Sequence, residues 1–317
     1  MKNFWQELPK LFFCLAPMED VTNVIFRQVI TKATRPDVFF TEFMNVSGFV
    51  HPEGRVNVAR RLQTASTDTP IVAQIWGNRP KDFAKTAIEI CKMKSFSGID
   101  INMGCPDKAV IKSGGGSALI NNPDLAIEII QSTKNKSKLP VSVKTRLGYS
   151  KVNEWENWLT TLLEQDITAL SVHLRTKKEM SKVAAHFELI PEIVALRDKL
   201  APQTKLIING DIADVAIGTT LVKENPGIDG IMIGRGVFLN PYCFEKNPQA
   251  HSQQELISLL KFHLELFIKD SQKSKFLLKY EPLKKFLKIY INNFPGAKEL
   301  RVELMGTKSA EEALKLL

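Results

Sequence analysis

Eight short apolar segments, most of them rich in β-branched residues, punctuate the first 233 residues: 11–16, 38–42, 71–75, 98–102, 141–145, 168–173, 205–209 and 229–233. Between them, apolar residues recur at the spacing of a helix face over 22–31, 80–93, 123–133, 154–165, 191–200 and 212–224. Several of these stretches open on Asp, Thr or Pro, which satisfy or tolerate the free N–H groups of a helix's first turn. Eight alternations of strand and helix over about 245 residues predict an α/β fold, a (β/α)8 TIM barrel. An open doubly wound sheet fits less well, because no Gly-x-Gly-x-x-Gly opens the first helix.

From Asn247 onward the pattern changes to helices without strands, over 253–270, 275–293 and roughly 298–317. The expected division is therefore a catalytic barrel over 1–246 and an all-helical domain over 247–317. Residues 273–288 hold six lysines (273, 275, 279, 284, 285 and 288) against one acid, Glu281. Lys284 and Lys288 fall one helical turn apart, opposite an apolar stripe of Leu283, Phe286, Leu287 and Tyr290. Such a face is either simply solvated or a surface for phosphates.

Composition narrows the class without fixing it. The chain is 44% hydrophobic and 24% charged, as ordinary globular proteins are. No apolar run approaches the roughly 18 residues of a membrane span, so no membrane partner is expected. Leu11 to Pro17 mimics a short signal core, but Glu19 and Asp20 follow at once, and the run reads as a first strand. The four cysteines are scattered, without the spacing of a metal site or a disulfide framework; a reducing cytoplasm and no metal are expected. A net charge of +9 admits a nucleic-acid partner without requiring one.

In a barrel, function sits where the strands end. The residues there are Pro17 and Met18, Glu42, Gln74, Asn102 with Cys105, Lys144 with Arg146, His173 with Arg175, Asn209-Gly210-Asp211, and Gly234-Arg235-Gly236. Gly104 and Pro106 flank Cys105, so the strand stops and the thiol is held in a constrained turn. The later run Ser113-Gly114-Gly115-Gly116 either wraps a ligand or turns a corner; it is no Walker loop, since no Gly-Lys-Ser/Thr follows. Lys144, Arg146 and the glycine-bearing ends of the last two strands suit a phosphate ester. Gln74 and Lys144 suit the ring of a planar cofactor, and a lysine there would stabilise the negative charge of a reduced flavin.

Ala16-Pro17-Met18-Glu19-Asp20-Val21-Thr22, Thr41-Glu42-Phe43, Gln74-Ile75-Trp76-Gly77, the run from Asp100 to Pro106, Val143 to Gly148, His173-Leu174-Arg175-Thr176, Asn209-Gly210-Asp211-Ile212, and Asp229 to Gly236 before Asn240-Pro241 stand in one characteristic order. In these motifs the chain resembles the flavin-dependent tRNA-dihydrouridine synthases over nearly its whole length. The resemblance implies an FMN-binding barrel with a C-terminal helical tRNA-recognition domain. The implied activity is reduction of a specific tRNA uridine to 5,6-dihydrouridine, with FMN re-reduced by NADPH or NADH.

It further implies that Pro17, Met18, Gln74, Lys144, His173, Asn209, Gly210, Asp211, Gly234 and Arg235 contact FMN. Cys105 would be the catalytic acid, giving its proton to C5 of the uracil after hydride reaches C6. Asn102, Arg146 and Arg175 would face the substrate, and Lys279, Lys284, Lys285 and Lys288 are the expected tRNA phosphate contacts. A monomer is expected. Leu174 and Met180-Ser181-Lys182 depart from the family pattern of a small residue after the histidine and a Tyr-x-Gly beyond it, so the loop after the sixth strand is expected to differ. Rival readings leave residues unexplained: a flavin barrel reducing a free pyrimidine or enone ignores the basic tail, an idle RNA-binding scaffold ignores Cys105 and Lys144, and a sugar-phosphate isomerase ignores Cys105 with Gln74.

Overall fold

A computed structural model describes residues 3–273 and 278–317. Its strands are β1 (Phe12–Leu15), β2 (Phe39–Phe40), β3 (Met44–Asn45), β4 (Ile71–Trp76), β5 (Gly98–Met103), β6 (Val141–Arg146), β7 (Ala169–His173), β8 (Lys205–Asn209) and β9 (Gly230–Ile233). All pair in parallel, in the order β1-β9-β8-β7-β6-β5-β4-β2, with β3 a fragment on the end of β4. A parallel bridge between Cys14 and Val38 brings the two ends of this order together, and the Leu15 N–H donates to the Val38 carbonyl at 3.1 Å. The result is the expected TIM barrel of eight parallel strands, with the second reduced to two residues.

Helices alternate with the strands: α1 (Val24–Thr34), α2 (Val46–Val50), α3 (Pro52–Val58), α4 (Pro80–Met93), α5 (Lys108–Lys112), α6 (Pro123–Lys136), α7 (Trp155–Leu163), α8 (Ile190–Leu200), α9 (Val215–Glu224) and α10 (Gly236–Leu239). Their starts follow local chemistry. The Asn23, Asn122 and Asp214 side chains cap α1, α6 and α9, and Pro80, Pro123 and Pro191 occupy first turns. Capping by Asn23 also explains why α1 begins two residues after the expected start. Thr22 is held outside the helix by its hydroxyl, which accepts the Met18 N–H at 2.9 Å.

Alternation along the strands sorts two environments. Ile99, Ile101, Val141 and Val143 join the large cluster shared with helix residues such as Ile90, Ile129 and Leu159. The intervening Asp100, Asn102, Ser142 and Lys144 fall on the other face, toward the barrel interior. A second apolar cluster packs around Trp5 toward the opposite end of the barrel, with Phe12, Cys14, Val38, Phe40, Val72, Ile207 and Met232 among its members. Trp5 belongs to a short turn of 3-10 helix before β1 and is fully buried, 5.8 Å from the Phe12 ring and 6.3 Å from the Phe40 ring. It plugs the bottom of the barrel, so the open end is the one that carries the polar residues.

The C-terminal region is helical: α11 (Gln253–Lys273), a 3-10 segment Glu281–Phe286 running into α12 (Leu287–Tyr290), then α13 (Ala297–Gly306) and α14 (Ala310–Leu316). The single long helix expected over 275–293 is thus corrected within the described residues, and Lys275 lies outside them. Pro282, with no N–H to donate, sits in the first turn, and the α-helical part that follows is one turn long. This region docks on the barrel through Phe286, whose ring lies 4.9 Å from Phe26 of α1 and 6.3 Å from Phe238 of α10. Among the described residues no helix is long and apolar enough to cross a membrane.

Candidate active site

The open end of the barrel holds a cavity of about 690 Å³. Ends of β1, β5, β6, β7, β8 and β9 supply its walls, and twelve of the residues expected at the site line it: Pro17, Met18, Asn102, Cys105, Lys144, Arg146, His173, Asn209, Gly210, Asp211, Gly234 and Arg235. Strand register accounts for the grouping. Asn102 pairs with Lys144, Arg146 with His173, and His173 with Asn209, so each polar residue stands beside the next around the barrel.

Cys105 follows β5 in a turn organised by Asn102, whose Oδ1 accepts the N–H groups of Gly104 and Cys105 at 3.1 and 2.9 Å. A Cβ at Gly104 would sit 3.1 Å from the Thr145 backbone, a tight contact that favours glycine in this turn. Burial raises the thiol's pKa, and the Asp107 charge adds to this against an N–H from the same residue and the Arg146 charge. Cys105 is therefore a protonated thiol at neutral pH. The glycine run does not line the cavity. It turns a corner beneath Cys105, where Ser117 N–H donates to the Cys105 carbonyl at 3.0 Å and a Cβ on Gly116 would meet that oxygen at 2.9 Å.

Lys144, on β6, is one of the cations that line the cavity. Its Nζ donates to Asn209 Oδ1 at 3.3 Å, and Asn209 is oriented by its own Nδ2 donating to the Met232 carbonyl at 2.8 Å. Burial, reinforced by Arg146, lowers the Lys144 pKa to about 8, while Asp100 pulls the other way. His173 is driven well below its ordinary pKa by burial and by four nearby cations, beginning with Arg146. Its Nε2 lies 3.2 Å from Arg175 Nη1. A guanidinium only donates, so Nε2 accepts and the neutral ring carries its proton on Nδ1.

The β8 and β9 loops close on one another. Gly210 has φ +123°, and a Cβ there would meet Ala185 at 3.1 Å; a Cβ on Gly236 would overlap the Ala213 carbonyl. Asp211 joins the two loops, pairing with Arg175 through one oxygen and with Arg235 at 3.0 Å through the other.

Six expected site residues lie outside this cavity, and three of them, Gln74, Arg175 and Lys284, are buried. Gln74 is fully buried below the cavity, its amide bonded to Asp100 at 2.7 Å and Asn102 at 3.1 Å. Arg175 is also buried outside the lining, holding Asp211, His173 and, at 2.7 Å, the Val183 carbonyl. Lys284 does not share the exposed face expected of it. Its ammonium is buried between Glu281 and the Met305 carbonyl, at 2.9 Å from each. Lys279, Lys285 and Lys288 are exposed; the first two border a second cavity of about 440 Å³ between the barrel and the helical region, with Asp20, Glu42 and His263.

Arg146 lines the main cavity but is also a brace, donating to the carbonyls of Gly104, Thr176 and Met180 at 2.9, 3.1 and 3.0 Å. It thereby fastens the departing loop after β7, in which Leu174 is fully buried and Ser181 reaches the cavity wall. Sequence reasoning missed Asp100 as a member of the site. The clue was present, since a carboxylate between two isoleucines of a buried strand requires partners. It also missed Phe238 and Leu239 at the cavity wall, which no motif marks.

A parallel eight-stranded barrel with a protonated thiol, a lysine and paired glycine loops at its open end defines an α/β-barrel enzyme scaffold. A family model described as dihydrouridine synthase matches residues 14–317. A "probable tRNA-dihydrouridine synthase" of Staphylococcus aureus (strain COL) is 54% identical over 316 residues, covering 100% of this chain and 95% of that one. A "probable tRNA-dihydrouridine synthase 2" of Bacillus subtilis (strain 168) is 54% identical, covering 100% and 96%. The chain belongs to the tRNA-dihydrouridine synthase family. Among solved structures, a 2-naphthoyl-CoA reductase complex matches with TM-score 0.50 at 11% identity, over 73% of this chain and 48% of that one, a likeness of fold alone.

Proposed function

We propose that this protein reduces a uridine of tRNA to 5,6-dihydrouridine, using FMN that is re-reduced by NADPH or NADH. The observation that carries the reading is the placement of Cys105, a protonated thiol, in one cavity with Lys144 and with the Gly210 and Gly234 loops. The residues fit FMN. The loops after β8 and β9 offer backbone N–H groups and Arg235 for the phosphate, and Lys144, with the His173 ring N–H, offers donors for the ring system. Bound FMN supplies hydride for C6 of the uracil, whose C5=C6 bond is conjugated to the C4 carbonyl.

Cys105 then delivers a proton to C5. A thiol held above its ordinary pKa is suited to that task, because it stays protonated at pH 7. Its turn is fixed by Asn102, so the donor is positioned before substrate arrives. The uridine must leave its stack to reach this depth. Exposed Lys279, Lys285 and Lys288 would hold tRNA phosphates, with the chain divided near 246 into barrel and recognition domain.

Mapping dihydrouridine in tRNA from a strain lacking this protein tests the activity, and an unchanged map would overturn it. For the acid, Cys105→Ala should retain FMN and be reduced by NADPH, yet reoxidise at least 100-fold more slowly, in order of magnitude, when mixed anaerobically with unmodified tRNA. Reoxidation at the parent rate with product formed would remove Cys105 from the reaction.

A further inference from the structure

Beneath Cys105 runs a chain of side-chain hydrogen bonds whose direction is set at one end. Asp100 is paired in register with Gln74 on one side and Ser142 on the other. Ser142 Oγ donates to Asp100 Oδ1 at 2.6 Å, and Gln74 Nε2 donates to Oδ2 at 2.7 Å. With its nitrogen committed to Asp100, Gln74 turns Oε1 toward Asn102, whose Nδ2 donates to it at 3.1 Å. Asn102 Oδ1 is then the atom that faces the loop and accepts from Gly104 and Cys105. An ionised carboxylate offers only acceptors, so Gln74 cannot flip without setting acceptor against acceptor at Asp100 and donor against donor at Asn102; Asn102 cannot flip without setting acceptor against acceptor at Gln74 and donor against donor at the Gly104 and Cys105 N–H groups. All four side chains in this chain are buried, where an unmatched pair is most unfavourable.

The consequence lies in what Asn102 presents to the cavity it lines. Its oxygen is occupied by the Cys105 turn, and one amide proton by Gln74; the second amide proton is what remains for a ligand. We infer that Asp100 is a positioning residue which, through Gln74, locks Asn102 with an N–H toward the bound base and so selects uracil over cytosine. The inference rests on the uridine reading above. With C5 set at the Cys105 thiol and C6 turned to the hydride donor, the C4 substituent is the polar group that flanks C5 on its other side, and the inference sets it at the remaining Asn102 N–H, beside the Cys105 turn that Asn102 holds. In uracil it is a carbonyl, an acceptor; in cytosine it is an amino group, which would face a donor.

The test measures binding of the flavin-loaded protein to two unmodified transcripts of the tRNA that carries the modification, one with uridine at the modified position and one with cytidine. The parent should favour uridine by on the order of tenfold. Gln74→Met and Asp100→Leu should bring the ratio of the two affinities close to one. Asp100→Asn should preserve it, because its oxygen can face Gln74 while the Ser142 hydroxyl rotates to accept from its nitrogen. A purely structural role would weaken both transcripts together and leave the ratio unmoved.

A parent that binds the two transcripts equally overturns the inference. So does a folded Gln74→Met or Asp100→Leu protein with the parent ratio, or an Asp100→Asn protein that loses it. Should neither apolar variant fold, the parent and Asp100→Asn measurements can still overturn the inference. Absence of dihydrouridine from the map is a different failure, since it removes the functional reading itself. A parent that forms dihydrouridine but does not discriminate removes only the role of Asp100.

Discussion

Arg27 and Asp68 form an ion pair from which water is excluded, with Nη2 2.8 Å from Oδ2 and both side chains fully buried. Arg27 also donates to the carbonyls of Thr22 at 2.7 Å and Gln63 at 2.6 Å. The Thr22 hydroxyl in turn holds the Met18 N–H, so a pair remote from the cavity fixes the loop that forms one of its walls.

Removing one partner leaves the other charge buried and unmatched. Asp68→Ala should therefore destabilise the protein by about 3–5 kcal/mol, far more than loss of an exposed pair such as Arg55–Glu89. Denaturant unfolding at pH 7 measures both. Equal, small losses for Asp68→Ala and Glu89→Ala would show that Arg27 finds other compensation.

Lys144 should make FMN binding pH-dependent. Burial, together with Arg146, lowers its pKa to about 8 in the unliganded site. An electron-rich ring edge beside the ammonium would raise that value, so the complex holds a proton that the free protein releases above about pH 8. Affinity should be level near pH 7 and fall above about pH 8, by at most tenfold per pH unit. Titration of cofactor-stripped protein by quenching of FMN fluorescence gives the profile, and Lys144→Met should flatten it. A level parent profile to about pH 9.5 would place the ring away from Lys144.

The lysines of the C-terminal region should separate into two kinds. Lys279→Ala and Lys288→Ala, at exposed positions, should each flatten the dependence of log K for tRNA on log salt by roughly 0.7–0.9. Lys284→Ala should leave that slope alone and instead lower stability by about 1–2 kcal/mol, since its ammonium bonds Glu281 and the Met305 carbonyl and lies over the Tyr280 ring. Filter binding across a salt series, beside thermal unfolding, distinguishes them. A slope change for Lys284→Ala equal to that of Lys288→Ala would mean that the segment opens on RNA.

This split shows where a sequence is readable. Eight strands could be counted because each is a short apolar run bounded by turn residues, and the chemistry could be placed because polar residues recur at their ends. Lys284 could not be told from Lys288, because the atom that buries it, the Met305 carbonyl, lies 21 residues further along the chain. Nor could the 3-10 turn at Pro282 be told from an α-helix, since a stripe of Leu283, Phe286, Leu287 and Tyr290 suits both. Gln74 was read as a residue of the β4 end facing the site, yet it is buried below the cavity and bonded to Asp100 across the strand pair, a partner that only register reveals. Trp5 had no strand or helix period around it to announce that it fills the barrel floor.

Glu42 provides a titration that should be visible in stability. Its carboxyl is pushed up to about 7 by burial, with the Glu19 charge adding to this and Arg61 and the Asp20 N–H opposing it. The Asp20 N–H donates to Oε1 at 2.7 Å, so the loop after β1 depends on this side chain, which also borders the second cavity. A carboxyl whose pKa is higher folded than unfolded stabilises the fold when protonated. That contribution is complete below the ordinary value of 4.5 and is lost as pH rises to about 7. Glu42→Gln keeps an acceptor for Asp20 and has no charge to bury. It should match the parent near pH 5 and exceed it near pH 8 by roughly 2 kcal/mol. Because Asp100 is raised to about 6 by its own burial and titrates in the same interval, the quantity to compare is the variant-minus-parent difference at each pH, in which the Asp100 contribution cancels. A difference that stays constant between the two pH values would show that Glu42 is ionised throughout, held by Arg61 in spite of its burial.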